Sequence, residues 1–224
     1  KKEFESTMEV FITLEHMKQS AYLASEYLKT QRRKVGLLKT KKAYVHYFPY
    51  GIAGIISPWN YPLILTANPV VESLLAGNNT ILKPSEQTPL TARLLKEIWD
   101  NSSHFKDAFQ LINGDGMIGK ALVEAEHTDI ICFTGSTAIG KKIAISCAER
   151  LKPVILELGG KDPMIVLKDA NIERAVSAAL WGGFSNAGQT CLSVERLYVE
   201  ESVFEDFKEK LSRGIDKLTI GPNE

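Results

Sequence analysis

Several features that define large protein classes are missing from this sequence of 224 residues. Its net charge is zero, because 27 lysines and arginines balance 27 aspartates and glutamates, which argues against a nucleic-acid-binding surface. No apolar run approaches the roughly 18 residues of a membrane-spanning helix, and the first residues lack the apolar core of a secretory signal. We therefore expect a protein that binds neither nucleic acid nor a membrane.

Cysteine and histidine are also scarce. The three cysteines include no Cys-x-x-Cys pair, and this usage is typical of the reducing cytoplasm rather than of a disulfide scaffold. The four histidines are scattered along the chain, so neither a metal-ligand spacing nor a local Cys–His pair is present. We expect a cytoplasmic protein whose site holds no metal.

The balanced charge is unevenly distributed. Seven basic residues fall between Lys29 and Lys42 with no acidic residue among them. Such a stretch is either an anion-binding patch or a solvated segment whose lysines protect an exposed strand edge. The second interpretation is the commoner one and is favoured here.

From Gly51 onward, predicted strands and helices alternate, after a long helix in the first thirty residues. Strands are predicted over 51–56, 80–84, 109–113, 129–135, 153–158 and 163–167. Helices are predicted over 62–76, 88–99, 117–125, 137–150 and 171–183, with Thr88 capping the second of these and Thr7 the first helix of the chain. The alternation predicts an α/β fold with a mostly parallel sheet and helices on both faces. In such sheets, ligands bind at the carboxyl ends of the strands.

Two of these strand ends carry unusual polar residues. Asn60 stands between Pro58 and Pro62, so its backbone is restrained and its side-chain amide is a candidate donor to an oxyanion. The alternative is an ordinary turn asparagine. Lys83 stands near the end of another predicted strand and Glu86 just after it, where both can face a nucleotide ribose; the alternative is a surface ion pair of small energetic value.

Two further strand ends combine glycine with a polar side chain. Gly135 and Ser136 lie between a strand and a helix, where backbone N–H groups can approach a pyrophosphate, although the same residues are also good helix caps. Glu157 closes an apolar strand before two glycines and is a candidate general base. Its alternative is a structural carboxylate paired with Lys161 or a backbone amide.

The cysteines differ in their surroundings. Cys132 lies in a predicted strand and Cys147 in a predicted helix, so both are expected to be buried and inert. Cys191 lies in a polar, glycine-containing segment after a helix, where a thiolate can be accessible and activated. Cys191 is therefore the candidate nucleophile.

Five motifs in order, SPWNYPL, LKPSEQTPL, FTGSTAIG, ELGGKDP and NAGQTC, resemble those of the aldehyde dehydrogenase superfamily. The resemblance runs from about Phe48 to the last residue. It implies that the Cys191 thiolate attacks an aldehyde to give a thiohemiacetal. Asn60 and the Cys191 backbone N–H would stabilise the oxyanion, and after hydride transfer Glu157 would activate water to hydrolyse the thioester.

The same resemblance implies a Rossmann-like cofactor site for NAD, with NADP also possible. Lys83 and Glu86 would contact the adenosine ribose, and Glu86 favours NAD because a 2′-phosphate would meet a like charge. Gly135 and Ser136 would form the pyrophosphate turn. The remaining residues assigned to the cofactor site are Ile56, Ser57, Pro58, Trp59, Gly116 and Leu158.

The resemblance also implies a division into domains. Residues 1–158 would form the cofactor-binding domain, with 30–48 as protruding strands of the oligomerisation type. Residues 159–224 would begin an incomplete second α/β catalytic domain, because the Glu-x-Phe-Gly-Pro motif of the family is absent. We therefore expect a truncated N-terminal half whose full-length form is a homo-oligomer acting on a small aldehyde.

An alternative is an inactive nucleotide-binding fragment, or half of a split enzyme that needs a second chain. A further alternative is a CoA-acylating relative that passes the thioester to coenzyme A. Glu157 argues against this last alternative, because it supplies the hydrolytic base.

Overall fold

Alternating helices and strands make up most of the computed structural model, which describes residues 3–37, 39–219 and 221. The helices are α1 Glu3–Tyr27, α2 Ile64–Leu75, α3 Pro89–Ser102, α4 Gly116–Glu124, α5 Thr137–Glu149, α6 Ile172–Phe184 and α7 Glu201–Ile215. The strands are β1 Gln31–Arg33, β2 Ala43–Val45, β3 Ile52–Ile56, β4 Asn79–Lys83, β5 Phe109–Leu111, β6 Ile130–Gly135, β7 Val154–Leu158, β8 Asp162–Val166 and β9 Val194–Val199. These elements belong to two units, a larger one of residues Thr7–Glu157 and a smaller one of Lys1–Ser6 and Leu158–Glu224.

The larger unit is built on a five-stranded sheet with the order β5-β4-β3-β6-β7. β3 pairs in parallel with β4 and with β6, and β4 pairs in parallel with β5. Ile56 at the end of β3 is in register with both Lys83 and Phe133. The predicted mixed α/β fold with a mostly parallel sheet is confirmed, and the carboxyl ends of these strands lie level at one edge.

One face of this sheet packs on α2 and α3. Ile55, Leu82 and Phe109 from the strands join Val70 of α2 and Ala92 of α3 in a single buried cluster. Burial of such side chains is the main favourable contribution to folding, at about 1.5–3 kcal/mol for each large one. The cluster therefore anchors both helices to the sheet.

The opposite face packs on α4, and Gly54 makes this approach possible. Successive residues of a strand point to opposite faces, so Gly54 faces away from Ile55. A Cβ atom at Gly54 would lie 2.8 Å from Ile131 Cδ1, 3.0 Å from Thr128 Cγ2 and 3.1 Å from Leu122 Cγ. Because Gly54 has no side chain, residues of α4 and of the neighbouring strand β6 can fill the space beside it.

The smaller unit has its own two-stranded sheet, in which β8 and β9 pair in parallel. Val166 of β8 packs with Val176 and Ala179 of α6 and Phe207 of α7. The sequence patterns did not predict β9 or α7, which follow the last predicted element. β9 alternates poorly between buried and exposed positions, so it lacks the period of a half-buried strand.

Of the two helix caps predicted on threonine, the one at Thr7 is wrong, whereas Thr88 does stand at the N-cap position of α3. α1 begins at Glu3, so Thr7 lies inside the helix rather than before it. Thr88 precedes α3, but within the described chain its side chain makes no cap hydrogen bond. Its backbone φ of −135° and ψ of 50° depart from the extended conformation in which an N-cap side chain reaches the first turn.

β1, within the basic stretch, and β2, directly after it, form a separate two-stranded sheet. β1 and β2 pair antiparallel, with Gln31 opposite Val45 and Arg33 opposite Ala43. Within the described ranges, no helix combines the length and apolar character that crossing a membrane requires.

We predict that Gly54→Ala lowers the free energy of unfolding by about 1–3 kcal/mol, because a Cβ atom would overpack a filled core. Urea denaturation followed by circular dichroism would measure the change. Gly159→Ala is the matched control, since no described atom lies within 4 Å of its Cβ position. Equal stability of the two variants would contradict the close packing of α4 on β3.

Candidate functional site

The carboxyl ends of β3, β4 and β6 open into a cleft of about 720 Å³ in the larger unit. Its walls come from the loops after these strands and from one side each of α4 and α5. The lining residues are Ile56, Ser57, Pro58, Trp59, Lys83, Ser85, Glu86, Gly116, Gly119, Lys120, Val123, Glu124, Phe133, Thr134, Gly135, Ser136, Ile139, Lys142, Ile143 and Ser146.

The residues predicted to bind a cofactor are gathered around this cleft, with one exception. Ile56, Ser57, Pro58, Trp59, Lys83, Glu86, Gly116, Gly135 and Ser136 all line it. Leu158 is not among the described residues that do so; it is the half-buried last residue of β7 and belongs to the smaller unit. The cofactor role of each of these residues stays a prediction.

Lys83 and Glu86 form an ion pair at the end of β4. Lys83 is only 4% exposed, and its Nζ donates to Glu86 Oε2 at 3.1 Å. The pKa of the Glu86 carboxyl lies below its ordinary value, first because of a backbone hydrogen bond and then because of the Lys83 ammonium. Glu86 is therefore a charged acceptor at the cleft, and burial of Lys83 distinguishes the pair from an ordinary surface pair.

The turn between β6 and α5 brings backbone close to the cleft. Ser136 Oγ accepts the N–H of Ile139 at 3.4 Å and so caps α5. A Cβ atom at Gly135 would lie 2.5 Å from Phe133 Cζ, so the turn has no room for a side chain. A helix N-terminus reached through such a turn favours an anionic group.

The cleft also has walls that sequence reasoning missed. Gly119 and Val123 of α4, and Ile139 and Ile143 of α5, present mostly small or apolar surface to it. Each pair is spaced by four residues, which places both members on one face of their helix. The four-residue spacing was the sequence signal that could have found these residues, but it shows only that they share a helix face and not that this face lines a cleft.

The loop between β3 and α2 carries Asn60, which is half-buried. Ser57 at the start of the loop shares a hydrogen bond of 2.8 Å with Thr66 of α2, and both residues are buried. Trp59 is exposed and lines the cleft. Asn60 thus lies in a restrained loop at the same sheet edge as the cleft.

Cys191 lies in the smaller unit and is exposed. Just before it, Asn186 and Ala187 have positive φ values of 51° and 57°, which are strained for residues with a Cβ atom. The Asn186 N–H donates to Glu5 Oε1 at 2.8 Å, and Ser193 Oγ donates to the Gly182 carbonyl at 3.0 Å. These bonds hold the segment around Cys191 in an unusual backbone conformation, a feature that is common at functional sites.

The other two thiols have a different environment. Burial first, and then the nearby charges of Glu72 and Glu157, together raise the pKa of Cys132 to about 11. Burial also raises the pKa of Cys147. Both thiols therefore stay protonated near neutral pH, as the sequence analysis expected of inert cysteines.

Glu157 is exposed near the end of β7 in the larger unit, which also contains Asn60. Lys161, its suggested structural partner, pairs instead with Glu195 of the smaller unit. The Lys161 carbonyl accepts a hydrogen bond from Arg196 Nε at 2.9 Å. Lys161 is thus tied to β9 within the smaller unit.

Comparison with known proteins gives a consistent result over the whole chain. The sequence profile described as the aldehyde dehydrogenase family matches residues 1–224. The chain is 44% identical over 173 residues to the 4,4'-diapolycopene aldehyde oxidase of a Methylomonas species, covering 77% of this chain and 32% of that protein. It is 38% identical over 190 residues to the D-glyceraldehyde dehydrogenase (NADP(+)) of Picrophilus torridus, covering 84% of this chain and 38% of that protein.

A solved structure shows the same fold. The NAD-dependent aldehyde dehydrogenase from Sinorhizobium meliloti is 33% identical and matches with a TM-score of 0.89, covering 95% of this chain and 42% of that one. The chain therefore spans less than half the length of the relatives it matches.

We predict that iodoacetamide modifies exposed Cys191 at pH 7.5 while half-buried Cys132 and buried Cys147 remain unmodified, because desolvation keeps these two thiols protonated. Peptide mass spectrometry measures labelling at each site. Raising the pH toward 11 increases the thiolate fraction of Cys132 and should increase its labelling. Cys191→Ser is the control, and equal labelling of Cys132 and Cys191 at pH 7.5 would contradict the assignment.

Proposed function

The chain belongs to the aldehyde dehydrogenase family, and we propose that it provides the cofactor cleft and the nucleophile of an enzyme that oxidises an aldehyde to a carboxylic acid with NAD(P). The observation that carries the proposal is the cleft at the carboxyl ends of β3, β4 and β6, lined by the residues expected to bind a dinucleotide. Ligands of doubly wound α/β sheets bind at this edge.

The residues of the cleft fit a dinucleotide. Its volume of about 720 Å³ lies in the range typical of small-molecule and cofactor sites. Gly135 and Ser136 line the cleft at the N-terminus of α5, where backbone N–H groups favour an anionic diphosphate. The Glu86 carboxylate can accept hydrogen bonds from ribose hydroxyls, and Val123 and Ile143 supply apolar surface for a base.

In the proposed reaction, the Cys191 thiolate attacks the aldehyde carbon and forms a carbon–sulfur bond, which gives a thiohemiacetal. The Asn60 side-chain amide and the Cys191 N–H donate hydrogen bonds to the developing oxyanion. When bound, the nicotinamide cofactor supplies a hydride acceptor. Glu157 then takes a proton from water, whose oxygen attacks the resulting thioester and releases the acid and the Cys191 thiolate.

We further propose that NAD is preferred over NADP. Glu86 is a charged carboxylate whose pKa is lowered, and a 2′-phosphate on the adenosine ribose would meet this like charge. Lys83 could oppose the repulsion, but its Nζ is engaged by Glu86 at 3.1 Å. Because the Lys83 charge is already paired with Glu86, the pair favours a cofactor whose adenosine ribose has a free 2′-hydroxyl.

The wider organisation is proposed on the same family grounds. The larger unit would be the cofactor-binding domain, the smaller unit the start of the catalytic domain, and the β1–β2 hairpin an oligomerisation element of a cytoplasmic homo-oligomer. The exposed apolar side chains of Leu37 and Phe48 beside this hairpin support a contact role. Sedimentation of the protein would measure the assembly state.

We predict that Glu86→Gln shifts the cofactor preference toward NADP by about tenfold, equivalent to about 1.4 kcal/mol, because it removes the charge that a 2′-phosphate would meet. Isothermal titration of NAD and NADP would measure both affinities. Glu97→Gln, at an exposed position of α3, is the matched control and should leave the ratio unchanged. An unchanged ratio in Glu86→Gln would remove this residue from cofactor discrimination.

We predict that Glu157→Gln in the full-length protein gives one rapid burst of NADH and then little further turnover, because the thioester forms but its hydrolysis lacks a base. Stopped-flow absorbance at the NADH band would separate the burst from the steady rate. Cys191→Ala should abolish both phases. Steady turnover at the unsubstituted rate in Glu157→Gln would exclude Glu157 as the base.

A further inference from the structure

The N-terminus of α2 is capped by a residue from a distant part of the chain. Glu9 of α1 accepts the N–H of Leu63 at 2.8 Å and the N–H of Ile64 at 3.1 Å through the same carboxylate oxygen, Oε1. Glu9 is 6% exposed. Leu63 contributes no side-chain cap of its own within the described residues, so Glu9 supplies a cap that the local sequence lacks.

The remaining amides of this first turn have local partners. The N–H of Leu65 donates to the Tyr61 carbonyl at 3.1 Å, and the N–H of Thr66 donates to the Leu63 carbonyl at 3.2 Å. A helix leaves its first four N–H groups without intrahelical partners, and here Glu9 satisfies two N–H groups at that end. Its negative charge is also favourable near the positive end of the helix dipole.

A second contact joins α1 to α2 on the C-terminal side of Glu9. Thr13, one turn later, donates from Oγ1 to the Glu9 carbonyl at 2.7 Å and is itself buried. Further along the same helix, His16 Nε2 lies 2.9 Å from Glu72 Oε1 near the other end of α2. α1 therefore contacts α2 at two levels, through Glu9 at the N-terminus of α2 and through His16 near its other end.

The loop that carries Asn60 ends at this cap. Ser57 holds the start of the loop through its 2.8 Å hydrogen bond with Thr66, and Glu9 holds the end through Leu63 and Ile64. Asn60 lies between the two anchors. Its side-chain direction therefore depends on both, because a short loop with fixed ends has few alternative backbone paths.

We infer that Glu9 is a positioning residue for the oxyanion-stabilising amide of Asn60, acting through the N-terminus of α2 rather than by contact with substrate. The inference rests on the proposed function of Asn60. Removing Glu9 leaves the Leu63 and Ile64 amides without this partner in a poorly solvated place, and the loop moves to recover hydrogen bonds. A displacement of about 1 Å at a catalytic group is enough to lower the rate by about a hundredfold.

Hydrogen exchange tests the capping contact without any enzymatic assay. In Glu9→Ala, the amides of Leu63 and Ile64 should exchange at least about tenfold faster, while Glu9→Gln keeps an acceptor oxygen and should remain close to the unsubstituted protein. Glu15→Ala is the control on the same helix, since Glu15 is exposed and pairs with Lys18. Unchanged exchange at Leu63 and Ile64 in Glu9→Ala would overturn the inference.

Kinetics of the full-length protein test the functional link. Glu9→Ala should lower kcat for aldehyde oxidation by about ten- to a hundredfold, with the affinity for NAD within about twofold and partial recovery in Glu9→Gln. In a double-mutant cycle with Asn60→Ala, the second substitution should add little, because both act on one hydrogen bond. If the effects of Glu9→Ala and Asn60→Ala on kcat multiply in the double variant, Glu9 has a general structural role and the inference is overturned. The same holds if Glu9→Ala lowers the affinity for NAD as much as it lowers kcat.

The two levels of the hypothesis fail differently. If the unsubstituted full-length protein oxidises no aldehyde, the proposed function is wrong and the role of Glu9 is wrong with it. If that protein is active and Glu9→Ala retains its kcat, only the inference about Glu9 is overturned. Glu9→Gln preserves size and an acceptor, so it gives an answer even where Glu9→Ala folds poorly.

Discussion

The parallel alignment of β3 with β4 and β6 is the constraint on which the site depends. Because Ile56 is in register with both Lys83 and Phe133, three strands end at one level and their loops meet at one edge of the sheet. Residues far apart in sequence therefore line one cleft. Without that register, the same polar residues would occupy separate turns on the surface.

The helices that begin at this edge are capped in chemically different ways. α2 is capped by the Glu9 carboxylate and α4 by the Asp115 carboxylate, whereas α5 is capped by the neutral hydroxyl of Ser136. A bound phosphate is repelled by a nearby carboxylate but not by a hydroxyl. The neutral cap thus lies where the proposed diphosphate would approach, and the charged cap of α2 stabilises the loop bearing Asn60.

Much of the fold could be predicted because its signals are local. Short apolar runs ending in polar or glycine residues marked β3, β4, β6 and β7, and the structure moves the ends of predicted elements by up to three residues. The cap at Thr7 was wrong, and Thr88 stands at the predicted N-cap position without a side-chain cap bond among the described residues, because such a bond depends on backbone angles that residue type alone does not determine. β9 was missed because its exposed charged residues obscure the alternation of a strand.

By itself, the sequence determined which residue types stand at the strand ends, the order of the motifs, and the single cysteine in a polar segment. Only the tertiary structure decided that α4 and α5 wall the cleft and that Glu9 caps a helix 54 residues away. The reason is physical. Periodicity and turn chemistry act over a few residues, whereas burial and long-range hydrogen bonds depend on how packed elements meet.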